Sequence, residues 1–158
     1  MEQKKLALWL KLVIGGCALC GILLFVYALP VWLMTLTENY PHFHNWWWSA
    51  LLWVLAVPCY VVLGLGLAIA NDVGRGRSFT VRNARRLRLV AMLAIADAAV
   101  LFLGNVVLCL VDRQTPFVLP LASGVVCFVG VAIAVAAACV SHLVLKAARI
   151  QEENELTI

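Results

Sequence analysis

Charged residues are scarce in this chain, and their scarcity excludes a soluble globular domain. Of the 158 residues, 13% are charged and 65% are hydrophobic, and the mean hydropathy is +0.99. Soluble domains are far more polar. The net charge of +4 does not indicate nucleic acid, because the basic residues flank hydrophobic runs, where they set orientation and meet anionic headgroups. The expected partner is the lipid bilayer, and direct binding of nucleic acid is not expected.

Cysteine is missing from every polar segment, since all six cysteines lie within apolar runs. This distribution excludes the disulfide framework of a small secreted domain. It also argues against a thiol–quinone oxidoreductase, which needs reactive cysteines at the outer surface. The sequence has no phosphate-binding loop, nucleophile elbow or zinc-protease pattern. We therefore expect a protein that is not an enzyme and needs no cofactor.

Long apolar runs are abundant, and they lie at residues 12–36, 46–70, 87–111 and 117–145. A helix of about 20 residues, rising about 1.5 Å per residue, crosses the hydrocarbon core. Each run is therefore long enough for one span. The predicted fold is an all-α integral membrane protein, a single four-helix bundle with a basic loop at 71–86 and an acidic tail at 146–158.

The fourth run carries a row of small residues that predicts a face for close helix packing. Its members recur at intervals that place them near one another around the helix: Ser123, Gly130, Ala134, Ala137 and Ser141.

The distribution of basic residues predicts the orientation of the chain. With four spans, eleven of the twelve Lys and Arg residues lie on one side of the membrane, and only Arg113 lies on the other. Cytoplasmic segments are enriched in Lys and Arg. Both termini and the central loop are therefore expected to be cytoplasmic.

The central loop has its own local signals. Gly74 and Gly76 are expected to end the second helix. Thr80 is a candidate N-cap for the third helix, where its side-chain oxygen would accept a hydrogen bond from the amide of residue 82 or 83. At about 100° per residue, Arg82, Arg85 and Arg86 share one face. That face is either a docking surface for a partner or a consequence of the positive-inside bias alone.

Asp97 is the single acidic residue within a span. A charge at bilayer centre costs about 2.5–3.5 kcal/mol, so this side chain should face the bundle interior, find a partner or stay protonated. Tyr60, on the second span, is a candidate hydrogen-bond partner. Asn105 lies on the third span, at the flank of the helix face that carries Asp97. Asp97 is either a functional residue, as a proton or cation site or a switch sensitive to the state of the membrane, or a protonated or hydrogen-bonded packing residue.

Two pairs of residues are weak candidates for metal binding. Cys17 and Cys20 lie on one face of the first helix, and thiolates bind soft metals. The alternative, which the neighbouring glycines favour, is a close-packed helix face. His42 and His44 lie in the loop between the first two spans, where a polar interfacial loop is the simpler interpretation. No metal site is therefore predicted.

The tail, KAARIQEENELTI, concentrates acidic residues after a basic membrane exit and could dock against a groove or a basic surface. Together with the loop sequence GRSFTVRNARRLR, it resembles the bacterial membrane family known as domain of unknown function 2975. The resemblance covers nearly the whole chain. Its matching residues are Phe79, Asn83, Arg86 and Leu87 in the loop and Glu152, Glu153, Leu156, Thr157 and Ile158 in the tail.

The resemblance implies a multi-pass protein of the bacterial cytoplasmic (inner) membrane. The family has no established enzyme activity, and its members are commonly encoded beside a small helix-turn-helix transcription regulator. It therefore implies a membrane partner that restrains or tunes such a regulator, docked on the loop and the tail. The rival hypothesis is a small four-span transporter or cation-handling protein that uses Asp97 or the Cys17/Cys20 pair. A homo-oligomer is left open.

Overall fold

The computed structural model describes residues 2–40, 45–111, 113 and 115–155. Within these ranges the chain is helical and contains no strand. Its elements are α1 (Glu2–Leu23), a π-helical turn (Leu24–Ala28), α2 (Leu29–Asn39), α3 (Asn45–Gly74), α4 (Val81–Val111) and α5 (Val118–Glu155).

Among the described residues, four helical segments are long and apolar enough to cross a membrane: Lys4–Asn39, Trp46–Gly74, Val81–Val111 and Val118–Asn154. The predicted all-α, four-span membrane fold is thereby confirmed. The side of the membrane on which the termini lie stays a prediction.

The first span is one continuous helical segment with a widened turn in its middle. Pro30 lies at the start of α2, where it has no N–H to donate and its ring crowds the carbonyl four residues earlier. The helix widens one turn before the proline, and the Leu29 amide donates to the Leu24 carbonyl in the π-helical pattern. A π-helical turn is one of the ordinary ways in which a helix accommodates such a defect.

Helices extend beyond the apolar runs at the basic end of the molecule. The fourth run was predicted to leave the membrane at residue 145, whereas α5 continues to Glu155. Hydropathy marks where a helix meets lipid, not where its hydrogen bonding stops. Residues 146–155 are rich in Lys, Ala, Arg, Gln and Glu, all good helix formers, so the acidic tail begins as a helix.

The tightest packing in the molecule joins α4 and α5, which run antiparallel. The stripe of small residues is their contact face: Ala134 is completely buried, and Ser123, Ala137 and Ser141 are at most 9% exposed. The Ser141 hydroxyl donates to the Ala84 carbonyl at 2.7 Å. Further along, the Cys127 thiol lies 3.5 Å from the Ala98 carbonyl. Small side chains let the two backbones approach closely, which confirms the predicted packing face.

The other helices pack in chain order. α1 packs against α3, and α3 packs against α4, but α1 makes no close approach to α4 or α5 within the described residues. Side chains from all the spans meet at the end opposite the basic loop, where Leu33, Leu36, Trp48 and Leu119 form a buried cluster with Leu108 and Cys109 beside it. Between that cluster and the basic end, the middle of the molecule contains a gap.

Candidate functional site

The basic loop begins with a Schellman motif at the end of α3. The Arg77 amide donates to the Asp72 carbonyl at 3.0 Å, and the Gly76 amide donates to the Val73 carbonyl at 3.0 Å. Gly76 has φ 75°, a left-handed conformation that glycine adopts without steric cost. Helix α3 itself ends at Gly74. The two glycines therefore end this helix as predicted.

At the other end of the loop, Thr80 caps α4. Its side-chain oxygen accepts a hydrogen bond of 3.3 Å from the Asn83 amide, which confirms the predicted cap. The Asn83 side chain is 1% exposed and ties the loop down. Its amide nitrogen donates to the carbonyls of Arg77 at 3.1 Å and Ser78 at 3.3 Å. These bonds satisfy loop carbonyls that lie outside any helix.

An ion pair closes the loop across its base. Arg86 Nη1 lies 2.6 Å from Asp72 Oδ2 and also donates to Asn83 Oδ1 at 3.1 Å. Both charged side chains are largely buried, with 24% of Arg86 and 14% of Asp72 exposed. Asp72 was not among the predicted site residues, although it is the sole acid in the loop. Asn83 and Arg86, predicted as docking residues, thus have a structural role in holding the loop.

The remaining predicted docking residues of the loop face outward. Phe79 is 57% exposed, and Arg82 and Arg85 are exposed on the first turns of α4. Arg75 and Arg77 are exposed on the adjoining turn. The loop therefore presents an aromatic ring among cationic side chains, on a backbone that Asn83 fixes in place. We call Phe79, Arg82 and Arg85, with these two flanking arginines, the basic surface.

The helical start of the tail lies beside this surface. Ser141 contacts Ala84, and because antiparallel helices rise equally per residue, residue 144 of α5 lies level with Val81 at the start of α4. Ala148, about one turn further along α5, is 3% exposed, so α5 is still packed there. Glu152 and Glu153 are exposed one turn further on. Leu156 and Ile158 of the predicted docking tail lie outside the described residues.

The gap between the spans is a cavity of about 440 Å³ lined by all four of them. Four residues singled out in the sequence line it together: Cys17 and Cys20 from α1, Tyr60 from α3 and Asp97 from α4. The Asp97 carboxylate lies 3.6 Å from the Cys59 thiol.

The neighbour of Asp97 differs from the one expected. The thiol of Cys59 lies within hydrogen-bond distance of Asp97 Oδ2. Among the described hydrogen bonds, none joins Tyr60 to Asp97. The Tyr60 hydroxyl instead lies over Gly21, 3.3 Å from where a β-carbon would stand. Cys59 was missed because nothing in the sequence distinguishes it from the other apolar-run cysteines.

Asn105 belongs to a second cavity, of about 390 Å³, away from Asp97. Its Oδ1 atom accepts a hydrogen bond from the Cys109 thiol at 3.2 Å. The two intramembrane polar residues of α4 therefore have separate surroundings.

In the described part of the chain, no three His, Cys, Asp or Glu side chains are grouped closely enough to hold a metal ion. Cys17 and Cys20 are free thiols. His42 and His44 lie outside the described residues.

Length, hydropathy and helix packing together define a multi-pass helical membrane protein. The family model described as Protein of unknown function (DUF2975) matches residues 32–158, and the chain belongs to that family. The matched range includes the basic loop, the tail, Cys59, Tyr60 and Asp97, whereas Cys17 and Cys20 precede it. No curated protein and no solved structure matches the chain significantly.

Proposed function

We propose that this protein is a non-enzymatic regulatory protein of the bacterial inner membrane, and that its basic surface binds a small cytoplasmic helix-turn-helix transcription regulator. The observation that carries the proposal is the construction of the loop. Asn83 and the Asp72–Arg86 ion pair hold its backbone, and that order presents Phe79 with 57% of its surface exposed.

A rigid, exposed aromatic side chain among arginines suits a protein partner. Aromatic residues and Arg are enriched in protein interfaces, and they dominate the binding energy there. A preorganised loop also loses little conformational entropy on binding. A loop that served only to set orientation would need its charges but not this network of part-buried hydrogen bonds.

Charge and topology supply further support. The positive-inside rule predicts that the loop and the tail face the cytoplasm. The exposed Glu152 and Glu153 follow the basic surface along the same end of the molecule. A partner that contacts both would meet charges of opposite sign, which favours one docking orientation. The genes that commonly accompany this family point to a helix-turn-helix regulator as that partner.

The test is co-purification of the intact membrane protein with the regulator encoded beside it. Phe79→Ala and the double variant Arg82→Ala, Arg85→Ala should each weaken binding about tenfold or more, as for interface residues that dominate affinity. Removal of residues 151–158 should weaken binding as well.

Phe117→Ala is the matched control, because Phe117 is also exposed, at 78%, but lies at the opposite end of the spans. Its removal should leave binding unchanged. If Phe79→Ala binds the regulator as tightly as Phe117→Ala does, the basic surface is not the docking site.

A second function, handling of a cation in the membrane, is favoured by one specific observation. Asp97 and the thiols of Cys17 and Cys20 line the same cavity, although they come from helices that do not pack together. Cation flux in vesicles that is lost with Asp97→Asn or Cys17→Ser, and kept after removal of residues 151–158, would favour this function over regulation.

A further inference from the structure

The cavity around Asp97 is lined by one carboxyl group and by largely apolar walls. Its polar side chains are the thiols of Cys17, Cys20 and Cys59, the phenol of Tyr60 and the Asp97 carboxyl. Aliphatic residues, Phe25 and a few small residues make up the rest of the lining. Among the described residues, no Lys, Arg or His lines this cavity.

The carboxyl group of Asp97 has little to stabilise a negative charge. Its described hydrogen bond comes from the Cys59 thiol over 3.6 Å, and a thiol is a weak donor. A charged carboxylate within a membrane is costly unless a proton or a cation neutralises it. A positively charged ligand placed beside the Asp97 carboxylate would therefore neutralise it.

The cavity is also open to one side. No close packing joins α1 to α4 or α5 in the described part of the chain. The lining residues on either side of this gap are well exposed: Cys17 and Cys20 on α1, and Val129 and Ile133 on α5, at 49% and 51%. A molecule dissolved in the bilayer can therefore reach Asp97 without crossing a polar surface.

From these features we propose that the cavity binds an amphiphilic organic cation, with its charged centre beside Asp97 and its apolar body against the walls. A volume of about 440 Å³ lies in the range of about 300–1,000 Å³ that small-molecule sites occupy. Apolar walls with one convergent charge are also the usual chemistry of such sites.

A soft metal ion fits the same cavity less well. The thiols line it, but no three ligating side chains are grouped at binding distance among the described residues. Metal sites need several donors at short, defined distances. An organic cation needs only charge and apolar contact.

Binding can be measured with the purified full chain in detergent, by equilibrium dialysis of radiolabelled tetraphenylphosphonium. Tetraphenylborate, nearly the same shape with opposite charge, is the matched probe. We expect saturable binding of the cation, reduced about tenfold or more by Asp97→Asn, since removal of one member of a desolvated charge pair has an effect of at least this size. Tetraphenylborate should bind weakly and should not lose affinity in the variant.

A second pair of variants tests the position of the site and leaves Asp97 in place. Val129 and Val131 are each 49% exposed on α5, but only Val129 lines the cavity. Val129→Phe should fill part of the cavity and weaken cation binding severalfold, whereas Val131→Phe should leave it unchanged.

Equal loss in the two phenylalanine variants, or no loss in either, would overturn the proposal. Equal affinity for both probes would overturn it as well, because the carboxylate would then play no part. If Asp97→Asn fails to fold, the comparison of Val129→Phe with Val131→Phe still shows whether the cation binds in this cavity. The inference rests on neither regulation nor transport, since binding is measured without a regulator and without flux.

Discussion

Replacement of Asn83 by alanine should open the basic loop without unfolding the spans. The side chain makes three hydrogen bonds: its amide nitrogen donates to the carbonyls of Arg77 and Ser78, and its oxygen accepts from Arg86. All three are lost in Asn83→Ala. The Thr80 cap on the backbone amide at position 83 is kept, so α4 should still begin at the same place.

The size of the effect follows from these bonds. Each contributes about 0.5–1.5 kcal/mol, and the bond to the charged Arg86 contributes more. The higher helix propensity of alanine offsets at most about 0.7 kcal/mol. The loop should therefore lose about 2–5 kcal/mol of local stability, which corresponds to a roughly 30- to 5,000-fold larger open fraction.

Limited proteolysis with trypsin measures this opening. A protease needs an unfolded stretch of backbone, and where reclosing is faster than cleavage, the rate reports the population of the open state. Cleavage after Arg75 and Arg77, both exposed in the folded loop, should accelerate by the same factor. Asn71→Ala is the control, since Asn71 is exposed on α3 outside this network.

Equal cleavage rates for Asn83→Ala, the Asn71→Ala control and the unmodified chain would refute the reasoning. The loop would then owe its order to something other than the Asn83 side chain. A cut that also appears within the spans would mean that the change is global and not local.

Three further substitutions test the helix ends and the α4–α5 contact, each by denaturation in mixed detergent micelles. Gly76→Ala should destabilise by about 1–2 kcal/mol because its φ of 75° is left-handed, whereas Gly15→Ala, with open space around it, should not. Ser141→Ala should lower the free energy of unfolding by about 0.6 kcal/mol, and by at most about 1.7 kcal/mol, the range for hydrogen bonds between membrane helices. Ala134→Leu should destabilise by about 1–3 kcal/mol or more, since Ala134 is fully buried and overpacking forces the helices apart. Val135→Leu, at a position 57% exposed, should have little effect, and similar losses in both leucine variants would contradict the assigned packing face.

Local features of this molecule could be predicted from the sequence because they depend on neighbours in the chain. The Thr80 cap needs only residues 80–83, and the end of α3 needs only Gly74 and Gly76. The small-residue face of α5 follows from helical periodicity alone. Hydropathy located the four spans but ended the last one at residue 145. The sequence becomes polar at that point, whereas its helix propensity continues and α5 extends to Glu155.

Contacts between helices were harder to predict. Cys59 and Tyr60 differ by one position, hence by about 100° around α3, and the rotation of α3 decides which of them meets Asp97. The Asp72–Arg86 pair depends on how the loop folds back across fourteen residues. The cavity itself exists because α1 packs on α3 without reaching α4 or α5, and no pattern within one helix encodes that gap.

The continuity of α4 has a mechanical consequence. It runs unbroken from Val81 to Val111, so Arg82 and Asp97 belong to one rod, about 22 Å apart along its axis. Helix α4 also contacts α5 through Ser141 at one end and Cys127 further along. We therefore expect the two helices to move together as one rigid unit. A displacement of α4 beside the cavity would therefore also move the end of the helix that carries Arg82 and Arg85. If a cation bound beside Asp97 displaces α4, binding there and partner binding at the basic surface become linked, and the linkage is reciprocal.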